Sequence, residues 1–185
     1  MQIMRIPIIS LILFSTLILI TVRSFLARKH LKILLGLIIT YIGFLFFIWL
    51  ENKFGFEIYD FVLILVTITI FAHFYFGENL RLYYKTKYFD RYLHLFGTMA
   101  FTLCLYLIII RTLKPVMSPN SVIFVFVVAL GALIGVIFEL CEFTADMIFK
   151  TKKQRGLIDT DVDLIFDIIG ATLAGSFVLY FPKLF

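Results

Sequence analysis

Six apolar runs alternate with short charged stretches along the chain, at 6–22, 31–50, 58–77, 92–110, 121–149 and 162–181. Wound as helices, runs of about 17–25 apolar residues match the roughly 30 Å hydrocarbon core of a bilayer. The pattern predicts an all-α fold: a polytopic membrane protein built as a bundle of six transmembrane helices, one domain over residues 1–185. Between the third and fourth spans, Glu78 to Arg91 mixes charge with Tyr83, Tyr84 and Tyr88, which suits a short interfacial helix at headgroup level. Trp49 closes the second span as an interfacial anchor, and Pro115 and Pro119 flank the loop after the fourth. The fifth run is longer than a bilayer requires, so its last two turns are expected to project or tilt. The first run stands where a signal peptide would. Its basic flank follows the apolar segment and no A-x-A pattern comes after it, so it reads as a retained span.

Composition sharpens this reading. The chain is 62% hydrophobic and 16% charged, against roughly 45–50% and about 25% in soluble domains. That excess is too large to hide in one globular core. The net charge of +5 is no nucleic-acid signal here, because basic residues beside spans set orientation and meet anionic lipid. Cys104 and Cys141 both lie inside apolar runs and read as buried, inert thiols. No CxxC, P-loop or GxGxxG occurs, which removes zinc-ribbon and nucleotide-binding readings.

Lys and Arg at the span ends predict the orientation. The first, third and fifth loops hold twelve: Arg23, Arg28, Lys29, Lys32, Arg81, Lys85, Lys87, Arg91, Lys150, Lys152, Lys153 and Arg155. The opposite side holds five: Arg5, Lys53, Arg111, Lys114 and Lys183. The excess places the odd loops in the cytoplasm of an inner-membrane protein with both termini outside.

Acids inside apolar runs are the candidate chemistry. Glu139, Glu142 and Asp146 fall within about 60° of helical arc, and Asp159, Asp163 and Asp167 within about 80°. The basic loop Lys150 to Ile158 joins these helices and is short, so they are expected to run antiparallel with both acidic stripes at one depth. Asp161 points about 160° away and reads as a solvated loop residue. Asp90 and His94, four apart, open the fourth span, and His73 lies near the cytoplasmic end of the third. Acids deep in a span each cost about 2.5–3.5 kcal/mol, so Glu139 and Asp167 need a partner, a hydrated cavity or a proton. Close carboxylates repel, and a bound cation relieves this. Gly131 and Gly135 precede Glu139 at intervals of four, while Gly170 and Ala174 continue the stripe of Asp163 and Asp167. Small residues at that spacing choose the packing face.

The stretches Tyr88-Phe-Asp-Arg-Tyr-Leu-His94, Phe138-Glu-Leu-Cys-Glu-Phe-Thr-Ala-Asp146 and Gly156-Leu-Ile-Asp-Thr-Asp-Val-Asp-Leu-Ile-Phe-Asp-Ile-Ile-Gly-Ala171 resemble the YjdF-type bacterial inner-membrane proteins. The resemblance implies a six-span domain of unknown function and covers the chain from the second span onward. A more distant resemblance is to VanZ-like proteins, named from teicoplanin resistance. They share an acid or amide pair on one helix, then Asp, then a polar residue before Gly-Ala on the next. Where that pattern usually has Gln and Asn, this chain has Glu142 and Asp167, which makes the site more acidic.

Two chemical classes of function fit these residues. In the first, Glu139, Asp159, Asp163 and Asp167 hold a divalent cation, Mg²⁺, Mn²⁺ or Ca²⁺ rather than zinc. The ion engages an anionic or polyprenyl phosphate lipid or a cell-envelope precursor, and His94 or Glu142 serves as acid or base. Asp90, Asp146 and His73 complete the polar site. In the second class, the acids load and release protons or cations in a coupled transporter of small solutes. A non-catalytic membrane scaffold, with the acids as packing glue, is the third reading.

Overall fold

The computed structural model describes residues 8–28 and 31–185. Every regular element among them is helical: α1 (Ile8–Arg28), α2 (Leu31–Phe54), α3 (Asp60–Phe71), α4 (Leu82–Lys85), α5 (Lys87–Leu113), α6 (Asn120–Phe149) and α7 (Leu157–Tyr180). A π-helical segment, Ala72–Asn79, continues α3, and one 3₁₀ turn, Pro182–Leu184, closes the chain. Among the described residues, five stretches are long and apolar enough to cross a membrane: Gly36–Phe54, Asp60–Asn79, Lys87–Leu113, Asn120–Phe149 and Leu157–Tyr180. In α1 the apolar helix is shorter, Leu11–Ala27. The expected start of the first span at Ile6 lies outside the described residues, as do Arg5 and Lys29 of the charge count.

The helices group into two compact units, residues 1–86 and 87–185. In the first unit, Phe14 packs with Phe44 and Ile48, and Phe25 with Leu37 and Phe74. Buried Glu51 organises the turn from α2 into α3 by accepting the backbone N–H of Ile58 at 2.6 Å. Trp49 is half exposed with Lys53 Nζ 4.6 Å above its ring, an arrangement that suits an interfacial anchor. The π-helical segment carries an i→i−5 bond from Leu80 N–H to Tyr75 O at 3.0 Å. Gly77 in that segment lies against the ring of Tyr83, where a side chain would overlap it. The four-residue α4 falls inside the stretch expected to form a short interfacial helix.

The second unit is a three-helix assembly in which α7 packs on both α5 and α6. Its buried positions follow the helical repeat. On α6 they are Val127, Gly131, Gly135 and Glu139, four apart. On α7, Asp163, Asp167, Gly170, Ala171, Ala174 and Val178 form the matching stripe. The glycines are there because the backbones nearly touch. A Cβ on Gly131 would collide with Ala171, one on Gly135 would lie 2.5 Å from Asp167 Oδ2, and one on Gly170 would strike the carbonyl of Leu95. These are the small residues expected to choose the packing face.

Two helices begin earlier than the apolar pattern implies. The fourth span was expected from Tyr92 and α5 starts at Lys87; the last was expected from Val162 and α7 starts at Leu157. Hydropathy marks where lipid begins, while a helix continues through charged residues that water or partners satisfy. Asp161 is therefore not a loop residue but lies in the first turns of α7, exposed as expected. The loop is shortened to 150–156, and Gly156, at φ +118°, makes the sharp entry to α7 that other residues rarely adopt. Cys141 is not buried but exposed on α6, and Cys104 is half-buried on α5, because each lies on its helix away from the fully buried stripe.

Candidate metal centre

His94 of α5, Glu139 of α6 and Asp163 of α7 converge in the interior of the second unit. Their exposures are 6%, 5% and 3%. Each offers a ligand atom, and the three atoms lie within 4.8 Å of one another. Donors bound to one cation at about 2.0–2.6 Å cannot be much farther apart than this. A second feature is independent of spacing. His94 Nε2, Glu139 Oε1 and Asp163 Oδ1 are buried and have no hydrogen-bond partner among the described residues. Buried polar atoms are nearly always satisfied, so three left over on three residues this close together make them the candidate ligand group.

The far side of the imidazole is anchored. Nδ1 of His94 lies 3.2 Å from both Asp167 Oδ1 and Oδ2, and the Thr98 hydroxyl donates to Asp167 Oδ1 at 2.5 Å. A carboxylate there favours a proton on Nδ1 and leaves Nε2 facing Glu139 Oε1, 3.7 Å away. Asp167 is almost fully buried, enclosed by His94, Thr98 and the bare face of Gly135. Phe138 packs edge-on to the imidazole with ring centroids 5.3 Å apart.

The loop 150–156 folds back over this cluster. Asp146 accepts the backbone N–H groups of Lys153 at 2.9 Å and Gln154 at 3.0 Å, together with the Thr151 hydroxyl. Gln154 then donates its amide to Glu139 Oε2 at 2.8 Å and to the Glu139 carbonyl at 3.1 Å. Arg155 reaches Asp90 Oδ2 at 2.5 Å through Nη2 and Asp159 Oδ2 at 2.9 Å through Nε. Burial pulls the Arg155 guanidinium toward lower pKa, but Asp159, then Asp90 and Asp163, outweigh it and hold it above its ordinary value.

Most of the sequence-predicted residues thus meet in one place: Asp90, His94, Glu139, Asp159, Asp163 and Asp167. Glu142, one turn beyond Glu139, is half-buried. Asp146 is engaged by the loop backbone. His73 belongs to the first unit, where its Nδ1 meets the Tyr83 hydroxyl at 2.5 Å. Three participants were missed: Thr98, Gln154 and the pairing role of Arg155. Thr98 sits four residues after His94 on the same helical face, a signal that spacing could have supplied.

The family described as "Predicted membrane protein (DUF2238)" matches residues 9–183. The chain belongs to this family. With its long apolar helices, it is a multi-pass membrane protein. It is also similar to an uncharacterized protein of Thermotoga maritima, 34% identical over 109 residues. That similarity covers 58% of this chain and 56% of the relative, so little more than half of the relative's length is spanned. No solved structure matches.

Proposed function

We propose that this protein holds a divalent cation in its membrane domain and uses it to engage the phosphate of a lipid or lipid-linked cell-envelope precursor. His94, Glu139 and Asp163 are the ligands in this reading. Asp167 orients the imidazole, which moves Asp167 from the ligand set to a supporting role and makes His94 a ligand rather than an acid or base. Glu142, half-buried one turn away, is then the available acid–base group. The observation that carries the reading is the set of three orphaned buried atoms on His94, Glu139 and Asp163.

The donor set, one imidazole among carboxylates, suits Mn²⁺ or Mg²⁺. The ion supplies charge that an acidic pocket needs before it can hold a phosphate. In this reading the chain crosses the inner membrane six times, with both termini outside and the loop 150–156 on the cytoplasmic side by the distribution of Lys and Arg, so the ligand comes from the inner leaflet. The resemblance of the same motifs to YjdF-type and, more distantly, VanZ-like membrane proteins belongs to this reading.

The test is metal analysis of the purified protein beside the triple variant His94→Ala, Glu139→Ala, Asp163→Ala. The expected result is Mn²⁺ retained by the wild type and lost from the variant, with Mn²⁺-dependent binding of vesicles rich in phosphatidic acid. Equal, negligible metal in both proteins would overturn the reading, and uptake driven by a proton or Na⁺ gradient would replace it with transport.

A further inference from the structure

Asp163 belongs to two ligand groups, not one. Besides its place with His94 and Glu139, it forms a second group with Asp90 and Asp159, whose carboxylate oxygens also come within 4.8 Å of one another. This outer group is supplied by α5 and α7 alone, and all its donors are oxygens. Asp90 is 6% exposed, and Asp159 stands at the rim with a side chain 13% exposed.

A positive charge already lies across the outer group. The guanidinium of Arg155 joins Asp90 to Asp159, at 2.5 Å and 2.9 Å. The third member, Asp163, retains a buried Oδ1 with no partner among the described residues. The three carboxylates share the guanidinium of Arg155, with His94 Nε2 3.9 Å from Asp90 Oδ1 beside them, and a buried carboxylate is costly without compensation. Arg155 extends from the loop 150–156, and its side chain is 30% exposed.

We infer that Asp90, Asp159 and Asp163 form a second divalent-cation position, which Arg155 occupies as a tethered cation and vacates when an ion enters. Asp163 then bridges two cations, as carboxylates do in paired-metal sites. All-oxygen ligation selects a hard cation, Mg²⁺, Mn²⁺ or Ca²⁺. The bridging role of Asp163 rests on the reading of the inner group as a metal centre; the outer position itself does not.

The experiment uses the full chain in detergent, stripped with chelator and then equilibrated with limiting free Mn²⁺ alone. Wild type is expected to take one Mn²⁺ per chain, Arg155→Ala two with an exchange-coupled electron paramagnetic resonance signal, and Arg155→Lys one. The same Mn²⁺ count in wild type and in a folded Arg155→Ala protein would overturn the inference. If wild type takes none and Arg155→Ala takes one, the inner centre fails and the outer position stands. Should Arg155→Ala not fold, the neutral and longer Arg155→Gln decides by the same count. Wild type offers an independent check: saturating Mn²⁺ should speed modification of Arg155 by phenylglyoxal, mapped by peptide mass. An unchanged rate would also sink the inference.

Discussion

Nδ1 of His94 is equidistant, at 3.2 Å, from the two carboxylate oxygens of Asp167. The pair ties α5 to α7 and orients the other ring nitrogen toward Glu139. Asp167→Asn keeps the volume and removes the charge. With His94, Glu139 and Asp163 as the proposed ligands, it is expected to weaken Mn²⁺ binding by about 10–100-fold while the protein still elutes as a folded species in detergent. Thr98→Val, which deletes only the donor to Asp167 Oδ1, should cause a smaller loss. Titration of Mn²⁺ against both variants checks the order.

The close approach of α7 to α5 at Gly170 bears directly on that pair. A methyl group there meets the carbonyl of Leu95, the residue after His94. Gly170→Ala should lower stability by about 1–3 kcal/mol, as over-packing does, and should weaken Mn²⁺ binding as well because the helices must part. Gly43→Ala is the control, since nothing lies within 4 Å of its added carbon. Thermal unfolding of the two variants in detergent should move only the first downward.

Gln154 closes the loop onto Glu139 through two hydrogen bonds, and Asp146 holds the loop backbone from the other side. Gln154→Ala and Asp146→Asn should both accelerate tryptic cleavage at Lys150, Lys152 and Lys153. A larger effect is expected from Asp146→Asn, because Asp146 accepts three hydrogen bonds from the loop where Gln154 donates two. Cleavage rates indistinguishable from wild type would mean that the loop is held elsewhere.

Charge distribution predicts the side on which this loop lies. In a background with Cys104 and Cys141 replaced by Ser, Lys152→Cys should react with a membrane-impermeant maleimide in inverted vesicles and not in intact spheroplasts. A cysteine at Lys114 should show the opposite pattern. The reverse assignment would place the acidic cluster toward the outer leaflet.

Much of this molecule was legible in one dimension, and the reason is that helices are local. Apolar run length marked the five stretches that, among the described residues, are long enough to cross a membrane, and a period near 3.6 placed Glu139 with Gly135 and Gly131, and Asp167 with Asp163 and Gly170, on single faces. Repulsion and desolvation together required those acids to be gathered or partnered. Helix ends were less legible, since Lys87 to Arg91 and Leu157 to Asp161 are helical without being apolar throughout.

Which acids meet, and in what role, depended on contacts between helices far apart in the chain. His94 and Asp167 are 73 residues apart and Arg155 and Asp90 are 65 apart. Periodicity can put each on a face but cannot say which atom of one turns toward which atom of the other. Asp167 is spent on His94 and Thr98 and Asp146 on the loop backbone, while His94, Glu139 and Asp163 each keep a buried atom with no hydrogen-bond partner among the described residues. That distinction comes from packing at ångström scale, where backbones nearly touch at Gly131, Gly135 and Gly170. The sequence determined that acids would sit within the apolar helices, and the tertiary structure decided which of them keep a buried oxygen without a hydrogen-bond partner among the described residues.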